Sequence, residues 1–339
     1  MTKPASTTGA PGAPGGPLVV RIRNWVGDVI LGLPALNLLQ AHGYRLHIVA
    51  RGKWAPALLA GYDWPVSVQP AGLQDKVRQL REIRRSCKQA DPRFDRRENA
   101  LLLPVSLSSA LEMRLAGLRA VGYAKEGRSP LMARAVPVAT SGHELTRYWA
   151  LACRFLHVEQ EPPRDIGLRV GAAQAAAVDA LLADHGVQGR FMMVCPFAAG
   201  LAATTNKADK KWPAFGAFVA RAEAELGLPV LVYPGPGEHA LARSLYPAAR
   251  CVDGGDLAVY AALLQRAALV VANDTGPAHM SAALGRPTLS VLGPTYADRW
   301  APWGSGVTVV QRPQQGDTTA WPDADEVLAA AQRALQPTP

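Results

Sequence analysis

Three short segments combine glycine with polar side chains in patterns suited to phosphate chemistry. In ANDTGPAH, residues 272–279, an apolar run ends in a polar turn, and Pro277 takes what reads as the first position of a helix. Thr275 or Gly276 would cap that helix, leaving free N–H groups at the positive end of its dipole, where anions bind. His279 lies one turn in, within reach of the same anion. Asp274 reads equally as a turn residue before a well-capped helix.

The second segment, ATTNKADKKWP at 203–213, sets Thr204 and Thr205 beside Lys207, Lys210 and Lys211, just before a helix beginning near Trp212. Hydroxyls and ammonium groups after a strand suit a diphosphate, and a solvated basic loop has the same composition. The third is Asn24-Trp25-Val26-Gly27-Asp28. Gly27 allows close backbone approach there, and Asp28 is either a helix cap or a general base.

Two other segments imitate known signatures. GPGEHA at 235–240 spells a dinucleotide fingerprint, but Pro234 and Pro236 spoil its tight turn. Asp323-Ala-Asp325 spells the D-x-D of metal-dependent transferases, but it follows Pro322 and reads as the start of the last helix.

Each candidate loop needs a strand before it and a helix after it, and the chain supplies them. LVVRIR (18–23) reads as a strand, VILGLPALNLLQAHG from Val29 as a helix despite Pro34, and RLHIVA (45–50) as the next strand. ALLLPV (100–105) and AVGY (120–123) are further strands. The aperiodic VEQEPPRDIG, 158–167, reads as a linker. Beyond it, strands at 191–197, 229–235, 268–274 and 287–293 alternate with helices. Alternation of this kind gives parallel α/β sheets, and ligands bind at the carboxyl ends of their strands. The expected organisation is a disordered Pro/Gly-rich tail at 1–17, Rossmann-like domains at 18–165 and 166–322, and a final helix and tail at 323–339.

The 339 residues are 49% apolar and contain no long uninterrupted apolar stretch, so a folded two-domain cytoplasmic protein is expected. Cys87, Cys153, Cys195 and Cys251 lack C-x-x-C spacing, which argues against a zinc or redox pair. Charge is uneven: residues 1–170 carry 24 Lys and Arg against 13 Asp and Glu, and the rest carry 12 against 14. Arg78, Arg81 and Arg85 belong to a basic cluster at 76–97, opposite an apolar stripe of Leu73, Val77, Leu80, Ile83 and Cys87. Such a face attracts phosphates, acidic sugars or an anionic membrane, or is merely solvated. It lacks the interleaved aromatics and accompanying motif of a nucleic-acid binder.

WVGDVILGLPAL, TTNKADKKWP and NDTGPAHMSAALGRP followed by LGPT stand in the order of one family. Together they resemble the ADP-heptose:lipopolysaccharide heptosyltransferases. The resemblance implies an α/β GT-B fold, with two Rossmann-like parallel-sheet domains facing a central cleft. It implies an ADP-heptose donor as substrate, no cofactor and no metal, inversion at the anomeric carbon, and an anionic glycolipid acceptor of the lipid A–Kdo kind reached by transient contact with the inner membrane face. Matched residue by residue, Asp28 is the catalytic base, and Thr204, Thr205 and Lys210 contact the diphosphate. Asp274, Thr275, Gly276 and His279 form the donor loop, and Glu238 contacts the adenosine ribose. Arg78, Arg81 and Arg85 would hold acceptor phosphates or Kdo carboxylates. The Trp25–Asp28 segment is nearer the enzymes that add the second heptose, and Thr204-Thr205 with Asp209-Lys210 nearer those that add the first. A later core sugar or a protein acceptor, or a module that binds the nucleotide sugar without turnover, fits the same motifs.

Overall fold

Short apolar runs separated by amphipathic segments build two parallel six-stranded sheets, each with helices on both faces. The computed structural model describes residues 15–138, 141–198, 210–252, 254–313 and 320–336. The first sheet comprises β1 (Pro17–Arg21), β2 (Arg45–Ala50), β3 (Val66–Val68), β4 (Ala100–Leu102), β5 (Ala120–Tyr123) and β6 (Arg134–Val136). Its helices are α1 (Val26–Ala41), α2 (Ala55–Leu58), α3 (Leu73–Ala90), α4 (Leu107–Leu115) and α5 (Glu144–Leu156). The second sheet comprises β7 (Met192–Cys195), β8 (Val230–Val232), β9 (Arg250–Cys251), β10 (Leu269–Asn273), β11 (Thr288–Val291) and β12 (Val307–Val310). Around it lie α6 (Ala172–Asp184), α7 (Phe215–Leu226), α8 (His239–Leu245), α9 (Leu257–Arg266), α10 (Gly276–Ala283), α11 (Ala297–Trp300) and α12 (Ala324–Leu335).

Both sheets have one topology. The strand orders are β3-β2-β1-β4-β5-β6 and β12-β11-β10-β7-β8-β9, the second being the first read from the other edge. In such a sheet the order reverses between the first and fourth strands, and the crevice opens there. In the first sheet the loop beside that point runs from β1 into α1, whose first turn holds Asp28. In the second, the loops after β7 and β10 flank it, so segments over 60 residues apart in sequence emerge side by side.

The inner faces share one core. Leu18 and Val20 on β1, with Ile22 just beyond it, join α1, α5, α9, α10 and the inner face of the second sheet in a continuous apolar layer. Ile30, Leu33 and Leu36 of α1 are fully buried in it, each contributing about 1.5–3 kcal/mol. That burial carries α1 past Pro34, which removes one helix hydrogen bond. On the outer faces, α3 and α4 cover β1 and β4, and α7 and α12 cover the second sheet.

Several boundaries differ from the sequence expectation. Strand β1 begins at Pro17, inside the expected tail, and α1 begins at Val26 rather than Val29. The short strands β3, β6, β9 and β12 and the helices α4 and α5 were not signalled, although Leu145, Tyr148, Trp149, Ala152 and Phe155 form an apolar stripe at helical spacing. The expected linker is pinned to the second domain: Trp303 Nε1 donates to the Pro163 carbonyl at 2.9 Å and Ser305 N to Asp165 at 2.7 Å. Asp323 caps α12 in a capping box with Glu326, as its helix-start reading requires.

Candidate active site

The N-termini of α1 and α10 meet face to face across the two domains, and glycine makes the approach possible. A Cβ on Gly27 would lie 2.7 Å from Cδ2 of His279, and one on Gly276 would lie 3.0 Å from both Cβ and Cγ1 of Val26. The carboxylates of Asp28 and Asp274 therefore flank a single junction. Both residues are 8% exposed.

Asp28 is not the helix cap. Trp25 occupies that position without a side-chain cap bond, and Asp28 is the third helical residue. Its Oδ1 accepts a hydrogen bond from the Tyr148 hydroxyl at 2.7 Å and one from Arg23 Nε at 3.3 Å. Burial first, then the Asp28 charge, hold the Tyr148 phenol well above the usual tyrosine range, so it stays protonated. Burial opposes the charge on Arg23, but its anionic neighbours outweigh that and raise it further.

Asp274 organises the loop between β10 and α10. Lys210 donates to its Oδ2, Thr295 Oγ1 donates to the same oxygen at 2.8 Å, and His279 Nε2 stands 3.8 Å from Oδ1. Burial alone would raise this carboxyl; the His279 ring and the Lys210 ammonium overcome it and hold the group well below the ordinary carboxylate range. A bare carboxylate would repel a diphosphate. With Oδ2 held between Lys210 and Thr295, Asp274 instead fixes a partly exposed ammonium at the cleft. Asn273 ties the two loops together, accepting from Trp212 N at 2.9 Å and donating to the Pro196 carbonyl at 2.8 Å.

Thr275 caps α10 through its extended backbone, with no side-chain cap bond. Thr275 and Gly276 are less buried than Asp274, and the first-turn amides of a helix lack intrahelical acceptors. The structure thus brings Asp28, Lys210, Asp274, Thr275, Gly276 and His279 to one place. Thr204 and Thr205 lie outside the described residues. Glu238 sits apart, in the turn after β8, where its Oε2 accepts from Gly235 N at 2.8 Å.

Arg78, Arg81 and Arg85 are not brought to this junction. They project from α3, on the face of the first sheet opposite α1. Arg78 pairs with Asp75 at 2.5 Å, and Arg81 donates to the Leu115 carbonyl at 3.0 Å. Sequence reasoning passed over Arg23, Tyr148, Asn273 and Thr295. Thr295 lay inside the quoted LGPT motif, and the apolar stripe of α5 would have placed Tyr148 on a buried face.

Residues 92–322 match the family model described as glycosyltransferase family 9 (heptosyltransferase). The fold is similar to that of Escherichia coli ADP-heptose LPS heptosyltransferase II, at 21% identity and a TM-score of 0.75 over 94% of this chain and 98% of that one. It is also similar to a family 9 glycosyl transferase from Veillonella parvula, at 16% identity and a TM-score of 0.77 over 94% and 97% of the two chains. The E. coli heptosyltransferase WaaC with ADP matches at 21% identity and a TM-score of 0.69, over 94% and 99%. Curated protein sequences gave no match. Two facing parallel α/β sheets of this topology give the chain the GT-B fold. The chain belongs to glycosyltransferase family 9, the heptosyltransferase family.

Proposed function

We propose that this protein moves heptose from ADP-heptose to a hydroxyl of the lipopolysaccharide inner core, with inversion and without a metal, at the cytoplasmic face of the inner membrane. The observation that carries the reading is the junction of Asp28 with the Lys210–Asp274–His279 cluster through Gly27. It joins a carboxylate whose second oxygen accepts no hydrogen bond among the described residues to a loop that carries an ammonium and helix amides. The WaaC structures with ADP and with ADP-2-deoxy-2-fluoro heptose support a nucleotide-sugar donor here.

The acceptor oxygen forms a bond to the anomeric carbon from the face opposite ADP while its proton passes to Asp28. The bond from that carbon to the β-phosphate oxygen breaks, and its electron pair leaves with ADP. Lys210 and the α10 amides stabilise the departing charge, the task a divalent ion performs elsewhere. Thr204 and Thr205, with Lys210, are assigned to the diphosphate, and Glu238 to the adenosine ribose. Arg78, Arg81 and Arg85, remote from the base, act as a long-range attraction for an anionic acceptor and the membrane bearing it.

The test is mass analysis of products made with Kdo-lipid acceptors bearing zero, one or two heptoses, with ADP release followed in parallel. Transfer of one heptose to one of these, unaffected by EDTA and abolished in Asp28→Asn with ADP affinity retained, is the expected result. Transfer only to another acceptor corrects the substrate. Loss of activity with EDTA overturns the metal-free mechanism, and substantial activity in Asp28→Asn removes Asp28 from its role.

A further inference from the structure

We propose that Tyr148 is the positioning residue of the base: its hydroxyl, together with Arg23, occupies one carboxylate oxygen of Asp28 and leaves the other to take the acceptor proton. This rests on the reading of Asp28 as base.

Tyr148 lies on α5, which packs along α1, and its side chain is 2% exposed. Its ring passes Gly32 on the inner face of α1, where a Cβ would lie 4.0 Å from Tyr148 Cδ2. Phenylalanine would fill the same space, so packing accounts for the ring and leaves the hydroxyl unexplained. A buried hydroxyl is costly unless bonded, and among the described residues this one has a single partner, Asp28 Oδ1 at 2.7 Å. Arg23 Nε approaches that same oxygen at 3.3 Å. Among the described residues Oδ2 accepts no hydrogen bond. Two donors converging on one oxygen stop the carboxylate from turning about its last torsion and fix which oxygen faces the cleft, and a base held in place gains the rate advantage of orientation. Tyr148 is itself too weak an acid to act in place of Asp28.

The charged and titratable groups around this carboxylate come from three elements. Arg23 stands in the loop after β1, Tyr148 and Glu144 come from α5, and His279 faces Gly27 from α10. Glu144 is itself engaged by Arg147 at 3.4 Å and by Arg299 of the second domain at 3.7 Å. Of these groups, only Tyr148 and Arg23 donate to Asp28.

The experiment is a cycle of Tyr148→Phe, Asp28→Asn and the double variant, read by ADP release over a range of acceptor concentrations, by ADP titration and by thermal melting. Tyr148→Phe should lower kcat about 10- to 100-fold, the scale of a hydrogen bond to a charged group. ADP affinity and melting temperature should stay near those of the unsubstituted protein. Because the loss is one of orientation, it should fall on kcat and leave the acceptor KM within about twofold. In the Asp28→Asn background the same change should cost nothing further. A loss carried by the acceptor KM, or an equal fall in both backgrounds, assigns Tyr148 a packing role and overturns the proposal. Unchanged kcat overturns it too, while the role of Asp28 stands if Asp28→Asn is inactive. If Tyr148→Phe melts early, Arg23→Gln removes the second donor at a site with a 25% exposed side chain, and an unchanged kcat there refutes the shared-oxygen arrangement.

Discussion

Replacing Gly27 by alanine sets two opposing effects against each other, and their sizes predict a separation of stability from activity. Gly27 lies in the first turn of α1 and is not among the glycines with positive φ, so alanine suits its backbone and gains up to about 1 kcal/mol of helix propensity. The new Cβ, however, would stand 2.7, 3.1 and 3.3 Å from Cδ2, Nε2 and Cγ of His279. Carbon atoms settle about 3.5–4.0 Å apart, so the nearest contact is short by about 1 Å. His279 is 6% exposed and stands against Asp274, which leaves it little room to yield. Overpacking of this kind costs about 1–3 kcal/mol. Because the clash lies between two domains, it is relieved by parting α1 from α10 rather than by unfolding either domain. The melting temperature should therefore match or exceed that of the unsubstituted protein, while kcat/KM for transfer falls about 5- to 150-fold. Coupled ADP-release kinetics and thermal melting on the same sample decide it. A kcat/KM within twofold at unchanged melting temperature would refute the idea that this glycine sets the spacing between base and donor loop.

Two further outcomes follow from the charges. Asp274 is held below the ordinary carboxylate range, so its contribution to stability is present above about pH 4 and lost as pH falls below it. Asp274→Asn should melt lower than the unsubstituted protein at pH 7, with the gap closing as pH drops toward 3; a constant gap would show that the charge is not what the fold uses. Replacing Arg78, Arg81 and Arg85 together by glutamine should raise the acceptor KM at low salt, with the effect fading in 0.5 M salt and the donor KM unchanged, because attraction over such distances is screened. An acceptor KM equal to that of the unsubstituted protein at low salt would reduce α3 to a solvated face.

The sequence by itself determined the class of fold and marked the strand-to-helix loop at 272–279. Alternating apolar runs and amphipathic segments dictate parallel α/β sheets, and Asp274-Thr275-Gly276-Pro277 marks a helix start after a strand wherever it falls in space, because capping and proline geometry are local. Short edge strands such as Arg134–Val136 and Arg250–Cys251 escaped notice because two or three residues carry no periodicity. Only the tertiary structure showed that Asp28 is not the helix cap and joined it to Tyr148, 120 residues away, because that bond depends on the packing of α5 on α1. It likewise placed Arg78, Arg81 and Arg85 behind the first sheet, since which face a helix covers follows from strand order and crossover, which local pattern does not encode. The convergence of Lys210 with Asp274, and the fit of Gly27 against His279, arise from the shared topology of the two sheets. Chemistry carried by one loop was legible in its residues, whereas chemistry made between loops waited for the fold.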